Sequence, residues 1–389
     1  KDGKPTAAAL RDKLISMGYP ENITPDKGTV PSAISAVDTD FKLPQVWKTS
    51  FAIDYQIPVS FPMSVSVEGI FNKTLNAATL TDWSVQDVKG FPRFNGADNR
   101  PIYPKGSSVG TSAYVLENTS RGYGWSFSAQ VNAQPWEWLN LMAAYTHTVS
   151  KEVTSLPGSN ASSVLNYIST VYGPNNIKLH NGQNVTPDRI IASATIHDKC
   201  NNHYSFIYEA WRGGYNYSYM MVNDINADGY NYDAIYIPTD QQVADNEFRF
   251  KTEDDKTRFM DYVHNNSYLK NHQGEYAEAY SLYSPWVHRI DFSYKHDFKF
   301  DVAGHTNTIQ LSFDMKNVLN FFNSSWGVMK YLNPEIGSDP RILRYEGYDK
   351  DGYATFSTPK SINGNTKTFV PNHAIGQCWY ASVGLRYIF

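Results

Sequence analysis

The stretch DINADGYNYD at 224–233 places Asp224, Asn226 and Asp228 at alternate positions, with Gly229 directly after them. Side-chain oxygens at positions 1, 3 and 5, and a glycine at 6 for the sharp turn, are the spacing by which a loop wraps a calcium ion. Position 12, where an EF-hand carries a bidentate glutamate, is Ile235, so Asp233 is the residue left to supply that carboxylate. The same Asp/Asn/Gly composition also makes a turn that needs no ion. Both readings stay open, and calcium is the one cofactor the residues suggest. Enzyme motifs are missing: there is no HExxH, GxSxG, P-loop or dinucleotide fingerprint, so no catalytic residues are expected. His264 and His272 share a segment, but their eight-residue gap has no metal-ligand logic.

A second group is aromatic. Trp211, Tyr215, Tyr217, Tyr230 and Tyr232 crowd one part of the chain, together with Tyr219 and Tyr236. Such rings can face a ligand, stacking on sugars or holding a peptide. They equally suit the aromatic belt of a membrane interface.

These residues must be positioned by something, and the chain's periodicity says what. Trp47, Thr49, Phe51, Ile53 and Tyr55 alternate with Lys48, Ser50, Ala52, Asp54 and Gln56. Tyr123, Trp125, Phe127, Ala129 and Val131 alternate with glycine, serine, glutamine and asparagine. Ile290, Phe292 and Tyr294 oppose Arg289, Asp291, Ser293 and Lys295, and Ile309, Leu311, Phe313 and Met315 oppose Gln310, Ser312, Asp314 and Lys316. A period of two means strands with one apolar and one polar face. About eleven strands are expected, at 46–58, 62–75, 111–132, 136–151, 186–199, 203–219, 286–302, 307–319, 341–348, 353–359 and 377–389. Short links alternate with long ones at 76–110, 152–185, 223–285, 320–340 and 360–376. Short turns at one end and long loops at the other are the architecture of an antiparallel transmembrane β-barrel. In the longest loop, Phe259, Tyr262 and Val263 share one side of a short predicted helix with acidic residues in its first turn.

Composition agrees. In 389 residues, aromatics reach 15%, which excludes disorder, and the net charge of −4 argues against a nucleic-acid partner. No run is long and apolar enough for a membrane-spanning helix. Cys200 and Cys378 are too few for a disulfide framework and are expected unbonded, one in a short turn and one high on the last strand. The opening KDGKPTAAAL has no signal-peptide core, which reads as a cytosolic start or an internal one, and the barrel pattern favours the second.

The chain ends in WYASVGLRYIF, an alternating strand closing on an aromatic residue. Trp379, Tyr387 and Phe389 on its apolar face resemble the terminal strand that barrel-assembly machinery recognises. With SPWVHRIDFSYKHDF (284–298), NTIQLSFDMKNVLNFFNSSWG (307–327), VEGIFNKTLN (67–76), YVLENTSRGYGWSFSAQVNAQP (114–135), LMAAYTHTVSKE (141–152) and DINADGYNYDAIYIP (224–238), most of 44–389 resembles TonB-dependent outer-membrane receptors of the Bacteroidetes type. The resemblance implies a barrel of 22 strands, of which residues 45–389 would be the C-terminal half and residues 1–44 the remnant of an extracellular loop. It implies active uptake of a nutrient ligand, powered through the TonB complex and a plug domain carried by the N-terminal half. Outer-membrane lipid and a surface lipoprotein are its further expected partners. The long loops would lie outside the cell, and the short turns and C-terminus in the periplasm. A plug-less porin or structural adhesin barrel is the alternative, and a secreted carbohydrate binder a more distant one.

Overall fold

The computed structural model describes residues 7–22, 33–104, 112–153, 160–165, 168–302, 304–337 and 339–389. The fold is all-β, with short helices confined to the connections. Its main sheet is a meander of long antiparallel strands: Gln45–Gln56, Met63–Asp82, Ser112–Thr119 continued by Tyr123–Trp136, Leu139–Glu152, Asp188–His197, Asn202–Arg212, Val287–Val302, His305–Lys316 and Tyr380–Ile388. Each pairs with its sequence neighbour.

Alternation sets which side each row faces. Phe206, Phe292 and Phe313 stand side by side on the apolar face, with ring centroids 5.0 and 6.3 Å apart. On the opposite face Ser128 and Thr146 share a hydroxyl bond of 3.0 Å, and Gln310 donates to Asp297 at 2.8 Å. A one-residue slip would exchange the two faces, so the pattern fixes the register.

Among the described residues the long strands number nine, not eleven. The expected strands 341–348 and 353–359 leave the sheet: Arg344–Tyr348 and Ala354–Ser357 form a bulged hairpin that adds Arg249–Phe250 as a parallel third strand. At five and four residues they are too short to cross a sheet whose other members run nine or more. The two loops predicted around them merge into one connection, 317–379. The strand expected at 111–132 is interrupted at 120–122, yet both parts hold one register against Met63–Asp82. Gly122, at φ +147°, is where it breaks; a Cβ there would stand 2.7 Å from Thr74 Oγ1. Position 111 lies outside the described residues.

With this revision the links still alternate strictly: 57–62, 137–138, 198–201 and 303–304 are short, and 83–111, 153–187, 213–286 and 317–379 are long. Within the segment expected as a loop remnant, Ala7–Ser16 is helical, and Ala33–Val37 pairs in parallel with Ser112–Leu116 at the long-loop end. The sheet is open. Among the described residues Gln45–Gln56 pairs only with Met63–Asp82, and Tyr380–Ile388 only with His305–Lys316.

The main buried cluster lies outside this sheet. Phe94, Tyr219, Ile235, Phe259, Leu343 and Phe356 belong to one cluster drawn from three long connections, which together form a cap. Helix Glu253–Asn265 starts where expected, with the Thr252 hydroxyl accepting from Asp255 N–H and three acidic residues in the first turn. It turns Phe259, Met260, Tyr262 and Val263 inward. Phe248 stacks on Phe356 at 4.4 Å, and Phe250, paired with the hairpin, packs on Phe259 of the helix at 5.6 Å.

Candidate functional site

The 224–233 segment sits inside the cap, and its oxygens face its own backbone. Asp224 Oδ2 accepts from Gly229 N–H at 2.9 Å, Asn226 Oδ1 from Asp228 N–H at 3.0 Å, and Asp228 Oδ1 from Tyr230 N–H at 2.8 Å. Asn226 Nδ2 closes the loop on Asp228 Oδ2 at 3.1 Å. The spacing that suggested a cation is thus that of nested Asx turns, with Ala227 and Gly229 at positive φ. Asp224 Oδ1 is the one loop oxygen that is buried without a partner.

Asp233 is committed elsewhere. Arg100 is fully buried and holds Asp98 through two bonds of 2.8 and 2.9 Å, the Ala234 carbonyl at 2.8 Å and Asp233 at 3.4 Å. The Tyr276 hydroxyl donates to Asp98 at 2.9 Å, and the Arg100 guanidinium lies over the Tyr276 ring at 5.2 Å. Asp233 Oδ2 accepts from Ile225 N–H at 3.3 Å, which couples this network to the Asx loop. Ile235, at the EF-hand glutamate position, is buried in the apolar cluster. Among the described residues no three His, Cys, Asp or Glu side chains gather as a metal site.

Burial governs the titration of these acids. It raises Asp224, and it raises Asp228 to about 7 with the charge of Asp224 adding to the effect. Asp233 is raised by burial against the pull of Arg100. Burial alone would lower the Arg100 guanidinium, but Asp98 and Asp233 reverse that and keep it charged.

The candidate ligand-facing aromatics are engaged one by one. Trp211 lies beneath the Arg289 guanidinium at 5.3 Å, Tyr215 packs on Tyr217, and Tyr217 on Phe369. The Tyr230 hydroxyl donates to Asp82 at 2.7 Å, and Tyr232 lies under Arg341. Tyr215 is the exposed one of the five, at 47%. Of the terminal strand, Trp379 N–H donates to Asn320 Oδ1 at 3.1 Å and its ring meets Phe321 edge-on. The Tyr387 hydroxyl donates to Asn307, and its ring stacks on Phe389. Cys200 and Cys378 are both free thiols, as expected.

The DMKNVLNFFNSSWG stretch has a structural role that its residue pattern did not announce. Asn317, in the left-handed region, donates to the Gly327 and Gln377 carbonyls at 3.0 and 2.8 Å. Asn320 donates to Ser324 and Trp326 carbonyls, and Arg289 bonds Gly327 O and Gln377 Oε1. Together they clamp the two ends of the connection 317–379 at the rim of the sheet. Arg289, expected as one of several charges on a polar face, stands opposite Glu209 in the sheet and also closes this clamp. Arg100 and Asp98, two residues apart in ADNRP, carried no sequence signal, because their partners lie more than a hundred positions away.

No protein-family model matches the chain, and no curated protein does. Among solved structures it is similar to the outer membrane transporter YddB from Escherichia coli, at 12% identity and a TM-score of 0.40. The alignment covers 92% of this chain and 35% of that one, so this chain spans about a third of that transporter's length.

Proposed function

We propose that this chain supplies part of the wall, and the external cap, of a TonB-dependent outer-membrane transporter that moves a nutrient ligand into the periplasm. One observation supports this above others: a two-faced sheet whose apolar face is bare from edge to edge. Phe51, Phe127, Phe206, Leu311 and Leu385 all stand exposed on it. Monomeric soluble proteins rarely leave so large an apolar surface open. In a bilayer such a face is the lipid contact, and the alternating polar face lines a lumen.

The open edges support the same assignment. Unpaired backbone groups cost several kcal/mol each in hydrocarbon. The strands Gln45–Gln56 and Tyr380–Ile388 therefore need neighbours, which in a transporter are the N-terminal barrel half with its plug. The packed cap then stands outside the cell, and the short turns and Phe389 face the periplasm. Uptake would draw its energy from the TonB complex acting on that plug, and a surface lipoprotein would meet the cap.

Fractionation and uptake by the intact protein test this. Recovery in the outer membrane only with detergent, and uptake that stops when TonB is deleted, are expected. Uptake that continues without TonB points to a porin, and recovery without detergent removes the membrane assignment.

A further inference from the structure

We infer that the cap holds a binding site for a small hydroxylated oxyanion, such as a sugar acid, between Lys330 and Lys367. The cavity has a volume of about 360 Å³, within the range of small-ligand pockets. It lies where the end of helix Glu253–Asn265 meets the ribbon of Lys330–Leu332 and Phe369–Pro371 and the turn before it.

Three features of the lining point to that ligand. It contains two lysines and no carboxylate. Among the described residues neither lysine forms an ion pair, whereas Lys251 is taken by Glu346, Arg249 by Asp349 and Arg258 by Asp254 and Asp255. Both lysines line the same cavity, and no carboxylate of its lining offsets their charge.

The remaining walls are amides, hydroxyls and ring faces, and they are held in place. The Tyr262 hydroxyl and Thr368 Oγ1 are bonded at 2.8 Å, and Asn266 Nδ2 donates to Thr368 Oγ1 at 3.1 Å and to the Tyr219 hydroxyl at 2.8 Å. Asn265 Nδ2 donates to the Gly364 carbonyl at 3.0 Å. Asn333 fixes the turn that carries Lys367, donating through its side chain to Lys367 O at 2.8 Å and through its N–H to Thr368 O at 2.9 Å. A site built this way binds without first ordering its own backbone. Its polar walls suit hydroxyls, and Phe369 offers an apolar face for a ring.

This site deepens the transport assignment by naming a ligand class, and its test reads binding alone. Titration calorimetry on the intact detergent-solubilised protein would compare D-glucuronate, D-glucose and inorganic sulfate. Glucuronate is expected to bind, sulfate to compete with it, and glucose to give no heat. Lys330→Gln and Lys367→Gln should each weaken glucuronate binding roughly tenfold, as loss of a charge-assisted bond does. Lys330→Arg and Lys367→Arg, with unchanged melting, should restore most of it. Equal binding of glucose, unchanged affinity in the glutamine variants, or no binding of any probe each overturns the assignment. A negative result here leaves TonB-driven uptake standing, and a failed uptake assay leaves this site standing.

Discussion

A Cβ added to Gly327 would stand 1.8 Å from Asn317 Oδ1, and the Asn317 amide donates to the Gly327 carbonyl at 3.0 Å. The two residues lie ten positions apart and close the base of the connection that carries the hairpin layer of the cap. Gly327 also sits at φ +64°, where any side chain adds strain.

Gly327→Ala should therefore cost about 2–3 kcal/mol or more, combining the clash with the backbone strain. Asn317→Ala should cost a similar amount by leaving the Gln377 carbonyl without its donor and the Gly327 carbonyl with Arg289 alone. Limited proteolysis should show early cleavage in 317–379 for both variants, with the wall strands still protected. Cleavage at the wild-type rate would mean the clamp does not hold the loop base.

Arg100 is the electrostatic pin of the cap. Replacing it with methionine leaves Asp98 and Asp233 buried without their cation, a loss of about 3–5 kcal/mol. The cap's thermal transition should fall, and changing Asp98 and Asp233 to asparagine in the same chain should recover part of it. A single variant that melts like the wild type would show the network to be dispensable.

The Asx loop should make the cap pH-sensitive. Asp228 stands at about 7 in the folded protein against 3.8 for the free residue. A folded value raised in this way favours the protonated form, so its contribution is complete below about pH 4 and is lost as pH rises through 7. The wild-type cap should melt lower at pH 8 than at pH 5, and Asp228→Asn should flatten that profile. Millimolar calcium should shift the melting of wild type no more than that of the variant. A calcium shift present in the wild type and lost in the variant would favour the ion-binding reading of 224–233 instead.

The two faces of the last strand should respond oppositely to charge. Val383 is 73% exposed on the apolar face, and Ser382 lies on the polar one. In a lipid-facing wall an arginine at mid-depth costs about 2–4 kcal/mol, while a lumen position tolerates it. Val383→Arg should reduce the amount of folded protein in the outer membrane, and Ser382→Arg should not. Equal recovery of both variants would argue that the apolar face meets something other than lipid.

The period-two pattern determined most of the wall from sequence alone. Which side Trp125, Phe292 or Leu385 faces follows from the pleat of its own strand, a local property of the backbone. Loop lengths then gave strand direction and the sorting of connections to two ends. Helix Glu253–Asn265 was legible for the same reason, since its cap, acidic first turn and apolar stripe lie within thirteen residues.

Only the tertiary structure decided the rest. Arg344–Tyr348 and Ala354–Ser357 alternate much as wall strands do, and it was packing against Phe248 and Phe259 that drew them into the cap. Asp233 followed an acidic spacing in sequence, but its side chain is held against Arg100, 133 positions earlier. Lys330 and Lys367 came to line one cavity only when Lys330–Leu332 paired with Phe369–Pro371. Periodicity records how a segment meets its surroundings. It does not record which distant segment those surroundings are, and the chemistry of this cap lies in that second choice.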